Sequence, residues 1–173
     1  MYGNYATTED TPTLMFARRL SHPVDRVWSA ITEPDELGHW FPSKVVVDEL
    51  GAGAEISFEF EDMPLDAPAT MTGRVTNFEP PRVFGFCWGE DHLRFELEPD
   101  EQGCTLRLTV ALGTRDKAAR DAAGWHVCLN CLERELGDAG LGGEWRDYYD
   151  EYQRRGVPAG APIPGSGESG ASG

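Results

Sequence analysis

Trp125-His126-Val127-Cys128-Leu129-Asn130-Cys131 holds the Cys-x-x-Cys pair of this chain, with an imidazole two residues before it. Two thiolates at this spacing could share a metal ion or cycle through a disulfide. A closed zinc site needs four ligands, however, and the other cysteines, Cys87 and Cys104, stand in strand-like segments with no partner motif. A redox pair is favoured at a helix start, whereas this one falls inside a helical pattern. The pair therefore reads as small apolar packing, and neither a metal nor another cofactor is expected.

General acid–base catalysis needs a titratable group inside a pocket, with its pKa moved toward neutrality. His39 and His92 are the candidates. Glu59, Glu61 and Glu96 alternate with the phenylalanines of their own segments, which sends them to the opposite, solvated face. The tyrosines, Tyr2, Tyr5, Tyr148, Tyr149 and Tyr152, all lie outside the span that reads as strands and long helix, so the core is expected to contain no phenol. Gly-x-Ser-x-Gly, His-Glu-x-x-His and a Gly-rich phosphate loop are missing. No catalytic residue is assigned, and whether the chain is an enzyme stays open, with a non-enzyme favoured.

Binding chemistry is better represented. Phe58, Phe60, Phe84, Phe86, Trp88 and Phe95 fall on single faces of alternating segments, Trp125 and Leu129 on one stripe of a helix, and Trp28 and Trp40 on two shorter helical stretches. These rings could line a pocket for an apolar or aromatic molecule. They could equally be spent on folding, since each buried aromatic contributes a few kcal/mol at about 25 cal/mol per Å² of apolar area. Arg18 shares a strand face with Phe16 and Leu20, and an inward guanidinium needs a carboxylate or a ligand group to offset its desolvation. It is the candidate polar anchor, with an internal acid as the competing partner.

These residues must be positioned by elements of two kinds. Leu14 to Leu20 alternates with the period of a strand. Ser21-His22-Pro23 then opens a short helix through Ile31, and Asp35 to Trp40 a second. Six strands follow in turn-bounded segments: 44–50, 55–61, 69–79, 83–88, 92–98 and 105–112. Thr114-Arg115-Asp116 starts a long helix whose stripe runs from Ala118 to Leu136, closed by Gly137 and Gly140. One apolar helix stripe and one apolar sheet face cover each other most economically when the helix lies across a curved antiparallel sheet, an α+β layer. Beyond it, Trp145, Tyr148, Tyr149 and Tyr152 make an aromatic stripe on a short helix, which would pack on its own domain, join a homodimer or close over a pocket mouth.

Composition sets the limits. The 173 residues suit one domain, expected over 13–155 with the aromatic extension at 141–155. Residues 1–12 are polar and expected to be flexible, and 156–173 are dominated by Gly, Pro, Ala and Ser and expected to be disordered. A formal charge of −15 argues against nucleic acid and anionic membrane surfaces as partners. Residues 33–113 carry 17 acids against 5 bases, so a basic protein partner on the outer sheet face is an alternative to plain solubility. Without a signal sequence or a membrane-length apolar run, and with so few cysteines, the expected location is the cytoplasm.

Four stretches carry a resemblance. They are Arg18 through His22-Pro23, Val27-Trp28, Ala30-Ile31-Thr32, Pro34-Asp35 and Trp40-Phe41; Val47-Asp48 with Gly51-Ala52-Gly53; Gly73-Arg74-Val75 through Glu79-Pro80-Pro81-Arg82 to Trp88; and Gly124-Trp125 with Cys128-Leu129 and Leu132. In this order, over about residues 14 to 136, the chain resembles the activator of heat-shock-protein-90 ATPase-like family of the START-like, or SRPBCC, superfamily. The resemblance implies a helix-grip (Bet v 1-like) fold, with a bent antiparallel sheet around the long C-terminal helix and two short helices after the first strand. It also implies an apolar pocket between them. Non-catalytic binding of a small apolar or aromatic ligand is the leading expectation. A protein-interaction module of co-chaperone type comes second, and a polyketide cyclase or aromatase-like enzyme third.

Overall fold

The computed structural model describes residues 1–61 and 69–163. Strands β1 (Asn4–Thr8), β2 (Thr11–Leu20), β3 (Lys44–Val46), β4 (Glu55–Glu59), β5 (Thr70–Glu79), β6 (Val83–Trp88), β7 (Asp91–Asp100) and β8 (Gly103–Ala111) form one antiparallel sheet in the order β1-β2-β8-β7-β6-β5-β4-β3. Helices α1 (Val24–Thr32) and α2 (Pro34–Leu37) follow β2, and α3 (Ala118–Glu135) and α4 (Trp145–Arg154) follow β8. This is the expected curved sheet with a long C-terminal helix.

The inward face of the sheet is the alternating set: Leu14, Phe16, Arg18 and Leu20 on β2, Phe84 and Phe86 on β6, Leu93, Phe95 and Leu97 on β7, and Leu106, Leu108 and Val110 on β8, all buried. Against it α3 lays Ala118, Ala122, Trp125, Leu129 and Leu132. The bend has a local cause at Gly73. There β5 runs so close to β6 that a Cβ would collide with the carbonyl oxygen of Cys87, and the register shifts just beyond, between Val75 and Asn77. Pro34 cannot continue α1 and instead starts α2, and the indole of Trp40 donates from Nε1 to the Ala30 carbonyl at 2.9 Å, tying the two short helices together. No helix among the described residues is long and apolar enough to cross a membrane.

Both chain ends correct the sequence reading. Residues 1–12 are not a loose lead-in: β1 pairs with β2 from Asn4↔Met15 to Thr8↔Thr11, through a turn in which Glu9 and Asp10 both take positive φ, 49° and 66°. An edge strand with little of its surface buried needs no apolar alternation, so its sequence carries no periodic signal. At the other end, residues 156–163 turn back onto α3. Ala119 donates its N–H to the Pro158 carbonyl at 2.8 Å, and Ala161 to that of Asp116 at 3.1 Å. Helix α3 has no side-chain cap, and this returning strand of backbone supplies the acceptor that its first turn lacks. Residues 156–163 are therefore not part of a disordered tail; the rest of that expectation, 164–173, lies outside the described residues.

Candidate functional site

The phenylalanines singled out from alternation are brought together, but against one another. Phe58, Phe84, Phe86 and Phe95 are buried, with the Phe84 and Phe86 centroids 5.0 Å apart, Phe58 and Phe86 5.6 Å, and Phe86 and Phe95 6.2 Å. Trp40 meets Phe95 at 6.0 Å, Leu129 is buried beneath α3, and Trp28 sits half-buried against Phe78 and Phe84 on the α1 side. These rings fill the layer between sheet and helix.

A pocket of about 170 Å³ opens instead at one flank of that layer, between β6 and α3. Its walls are Trp88 from the end of β6, Trp125 from α3 and Trp145 from the start of α4, with Pro42 beside them; Gly124 and Cys128, one helical turn apart, form its floor, and Arg120 and Asp121 its rim. Trp88 and Trp125 meet edge to face at 5.4 Å, Trp145 stacks on Tyr149 at 5.0 Å, and Phe60 supports Trp88 from behind at 6.3 Å. The indole Nε1 of Trp88 is buried and has no hydrogen-bond partner among the described residues. The rim is a charge network that fixes the start of α3: buried Asp91 holds Lys117 at 2.5 Å and accepts the Gly113 N–H at 2.9 Å, while Arg120 Nε donates to Asp121 at 2.8 Å. Burial raises the Asp121 carboxyl above its ordinary range, with Arg120 and Lys117 pulling it back. Arg120 also donates from Nη1 to the Pro162 carbonyl at 3.1 Å, so the returning tail braces this rim.

Arg18 is elsewhere. Residues 124 and 126 are about 200° apart around a helix, and Arg18 belongs to the flank that His126 faces. It is 4% exposed, its Nε lies 3.7 Å from Glu133, it donates from Nη1 to the Ala17 carbonyl at 3.0 Å, and its Nη2 has no partner. Burial pulls this guanidinium below its ordinary pKa and pushes the Glu133 carboxyl up, each countered by the other's charge. Beside them α4 docks through its phenols. Tyr152 accepts the Gly3 N–H at 2.9 Å and sits 2.9 Å from His126 Nδ1; Asn130 Nδ2 donates to the Tyr148 oxygen at 3.0 Å, and Tyr148 donates to the Gly142 carbonyl at 3.2 Å. The His126 ring stacks on Tyr148 with centroids 4.0 Å apart. Burial, helped by the Arg18 charge, lowers His126 to about 4, and burial raises Tyr152 to about 12.

The expectation of a phenol-free core is therefore wrong: Tyr148, Tyr149 and Tyr152 are buried in it. The signal was present as two matched rows, His126 and Asn130 on α3 against Tyr148 and Tyr152 on α4, each four residues apart. Of the aromatic stripe of α4, the three tyrosines face their own domain, while Trp145 stays half-buried beside the pocket.

The two imidazoles named as acid–base candidates, His39 and His92, do not enter the core, whereas His126, not among them, does. His39 is 64% exposed and 3.4 Å from Glu135, and His92 lies on the outer sheet face, 2.6 Å from the Thr76 hydroxyl. Among the described residues no group of three or more His, Cys, Asp or Glu could hold a metal ion. Burial pushes the Cys128 thiol up to about 12, away from the thiolate that redox or metal chemistry requires. The outer face is acidic yet laced with cations, as Lys44–Glu59 at 3.0 Å, Arg94–Glu96 at 3.1 Å and Arg107–Glu98 at 3.4 Å.

Residues 21–137 match the family model described as Activator of Hsp90 ATPase homolog 1-like protein. The chain belongs to that family. Among solved structures it is similar to the conserved protein of unknown function EF2215 from Enterococcus faecalis, at 21% identity over 88% of this chain and 89% of that one, with a TM-score of 0.73. It is also similar to CalU16 from Micromonospora echinospora, at 22% identity over 90% and 96% with a TM-score of 0.68, and to the protein encoded by BPP1335 from Bordetella parapertussis, at 22% over 89% and 92% with a TM-score of 0.66. No curated protein matches the chain. The family stretch supplies Trp88, Gly124, Trp125 and Cys128 to the pocket, whereas Trp145 and Arg18 lie outside it.

Proposed function

We propose that this chain binds a small apolar or aromatic molecule, non-catalytically, in the pocket between β6 and α3. The observation that carries the reading is the convergence of three indoles, Trp88, Trp125 and Trp145, on one open space while the neighbouring phenylalanines are packed on each other. Indole faces offer large apolar area in a fixed geometry, and a concave site of this composition is what small-molecule recognition uses. The polar anchor passes from Arg18, which is occupied by Glu133, to the rim at Arg120. For the co-chaperone reading, Tyr148, Tyr149 and Tyr152 are buried, which leaves the acidic sheet face and the half-buried Trp145 as its surfaces. The four free cysteines support a reducing, cytoplasmic location.

Displacement of an environment-sensitive dye tests the proposal, using the whole chain and a Trp145→Ala variant. Trp145 forms one wall and is only half-buried, so the variant is expected to keep its fold and lose dye binding by roughly tenfold, in line with the loss of one aromatic contact. Equal dye binding by both proteins would sink the pocket as the site.

A further inference from the structure

Gly124 has no conformational reason to be glycine. It lies in the seventh position of the 18-residue α3, where glycine is unfavourable relative to alanine because it gives up more backbone freedom. Other glycines of this chain are held by a close approach: at Gly140 a Cβ would press on the Asn130 carbonyl oxygen, as at Gly73 it would on that of Cys87. A Cβ on Gly124 would meet, outside its own helix, the Trp145 Nε1 at 4.0 Å, an ordinary contact. Among the described residues no backbone or side chain presses on this position, with Trp145 at its edge, and Gly124 is the floor of the three-indole pocket.

Resting on the reading of that pocket as a ligand site, we infer that Gly124 is its specificity-determining residue, admitting a single aromatic ring that lies against the bare backbone of α3. The volume sets the class. A cavity of about 150 Å³ with apolar walls accepts benzene, and the pocket here measures about 170 Å³. That accommodates one ring with a small substituent, flanked by Trp88 and Trp145. A fused system of several rings exceeds that volume. The ring substituent points to the rim, where the Arg120 guanidinium has Nε and Nη1 engaged by Asp121 and Pro162 and retains Nη2 for a neutral hydroxyl or carbonyl oxygen.

The probes are 4-ethylphenol, with one ring, and 1-hydroxypyrene, with four, followed by the indole N–H signals of the tryptophans in ¹⁵N-labelled whole chain. 4-Ethylphenol is expected to move the Trp88, Trp125 and Trp145 signals, and 1-hydroxypyrene to leave them in place. Gly124→Ala is expected to weaken 4-ethylphenol by roughly tenfold, as a methyl group inserted into a fitted contact does, while raising the melting temperature by about 2–4 °C. Gly124→Leu should abolish binding altogether. The opposite signs for binding and stability separate a reserved space from a packing role. A lowered melting temperature in Gly124→Ala, or unchanged affinity in both variants, overturns the inference and leaves the pocket standing. Indole signals that respond to neither probe overturn the pocket itself.

Discussion

Helix α3 has two unlike flanks. On one, Arg18, His126, Asn130, Glu133, Tyr148 and Tyr152 satisfy most of one another's hydrogen bonds and charges, closing α4 and the N-terminal residues onto the domain. On the other, three indoles and a glycine surround an open pocket. Polar groups buried together must be paired or they cost stability, so the first flank is committed to holding the fold. The second has surface to spare, and α4 contributes to both: its phenols latch one flank while Trp145 walls the other. The comparison predicts that stability and binding respond to different residues.

The largest effect is expected at Glu133. Glu133→Ala leaves the Arg18 charge buried without its counter-charge and should cost about 3 kcal/mol in denaturant unfolding. Exchanging both partners for Met and Leu should recover most of the loss. Nearly as large is the pH effect of His126. Its folded pKa, about 4, lies below the ordinary value of 6.5, so the fold favours the neutral ring. The associated stability is present above pH 6.5 and is lost as pH falls toward 4, up to about 3 kcal/mol across that window. Unfolding titrations of the native chain and of His126→Gln should differ by that slope, and parallel curves would contradict it.

Tyr152→Phe removes the acceptor of the Gly3 N–H and the hydroxyl next to His126 Nδ1, and is expected to cost about 1–2 kcal/mol without altering dye affinity. A variant of this flank that weakened binding as much as Trp145→Ala would erase the distinction between flanks. The smallest effect belongs to the outer face. Glu59→Gln breaks an exposed pair with Lys44 and should move stability by no more than about 0.5 kcal/mol, with even less change in 1 M salt.

Alternation located the inward faces of β2, β4, β6, β7 and β8, because a half-buried strand must repeat with period two. The long helix and its stripe were equally legible. Strand β1 was not, since an edge strand can be polar throughout, and neither was the latch, whose tyrosines sit in a helix so rich in charge that it reads as a separate extension. The pocket was half legible. Periodicity says which side chains point inward but not whether the space between them is filled, which depends on packed volumes. Hence Trp88 and Trp125 line the pocket, Phe58, Phe84, Phe86 and Phe95, expected beside them, pack on each other, and Gly124 stands out in the sequence only for the motif it belongs to.

The tryptophans divide the two possibilities cleanly: Trp88, Trp125 and Trp145 line the pocket, while Trp28 and Trp40 serve the short helices. Titrating a single-ring aromatic such as 4-ethylphenol into the labelled chain and reading the indole N–H signals is the most direct test. Saturable shifts of the first three with the other two unmoved is the predicted result, and a response confined to Trp28 and Trp40, or none at all, would contradict it.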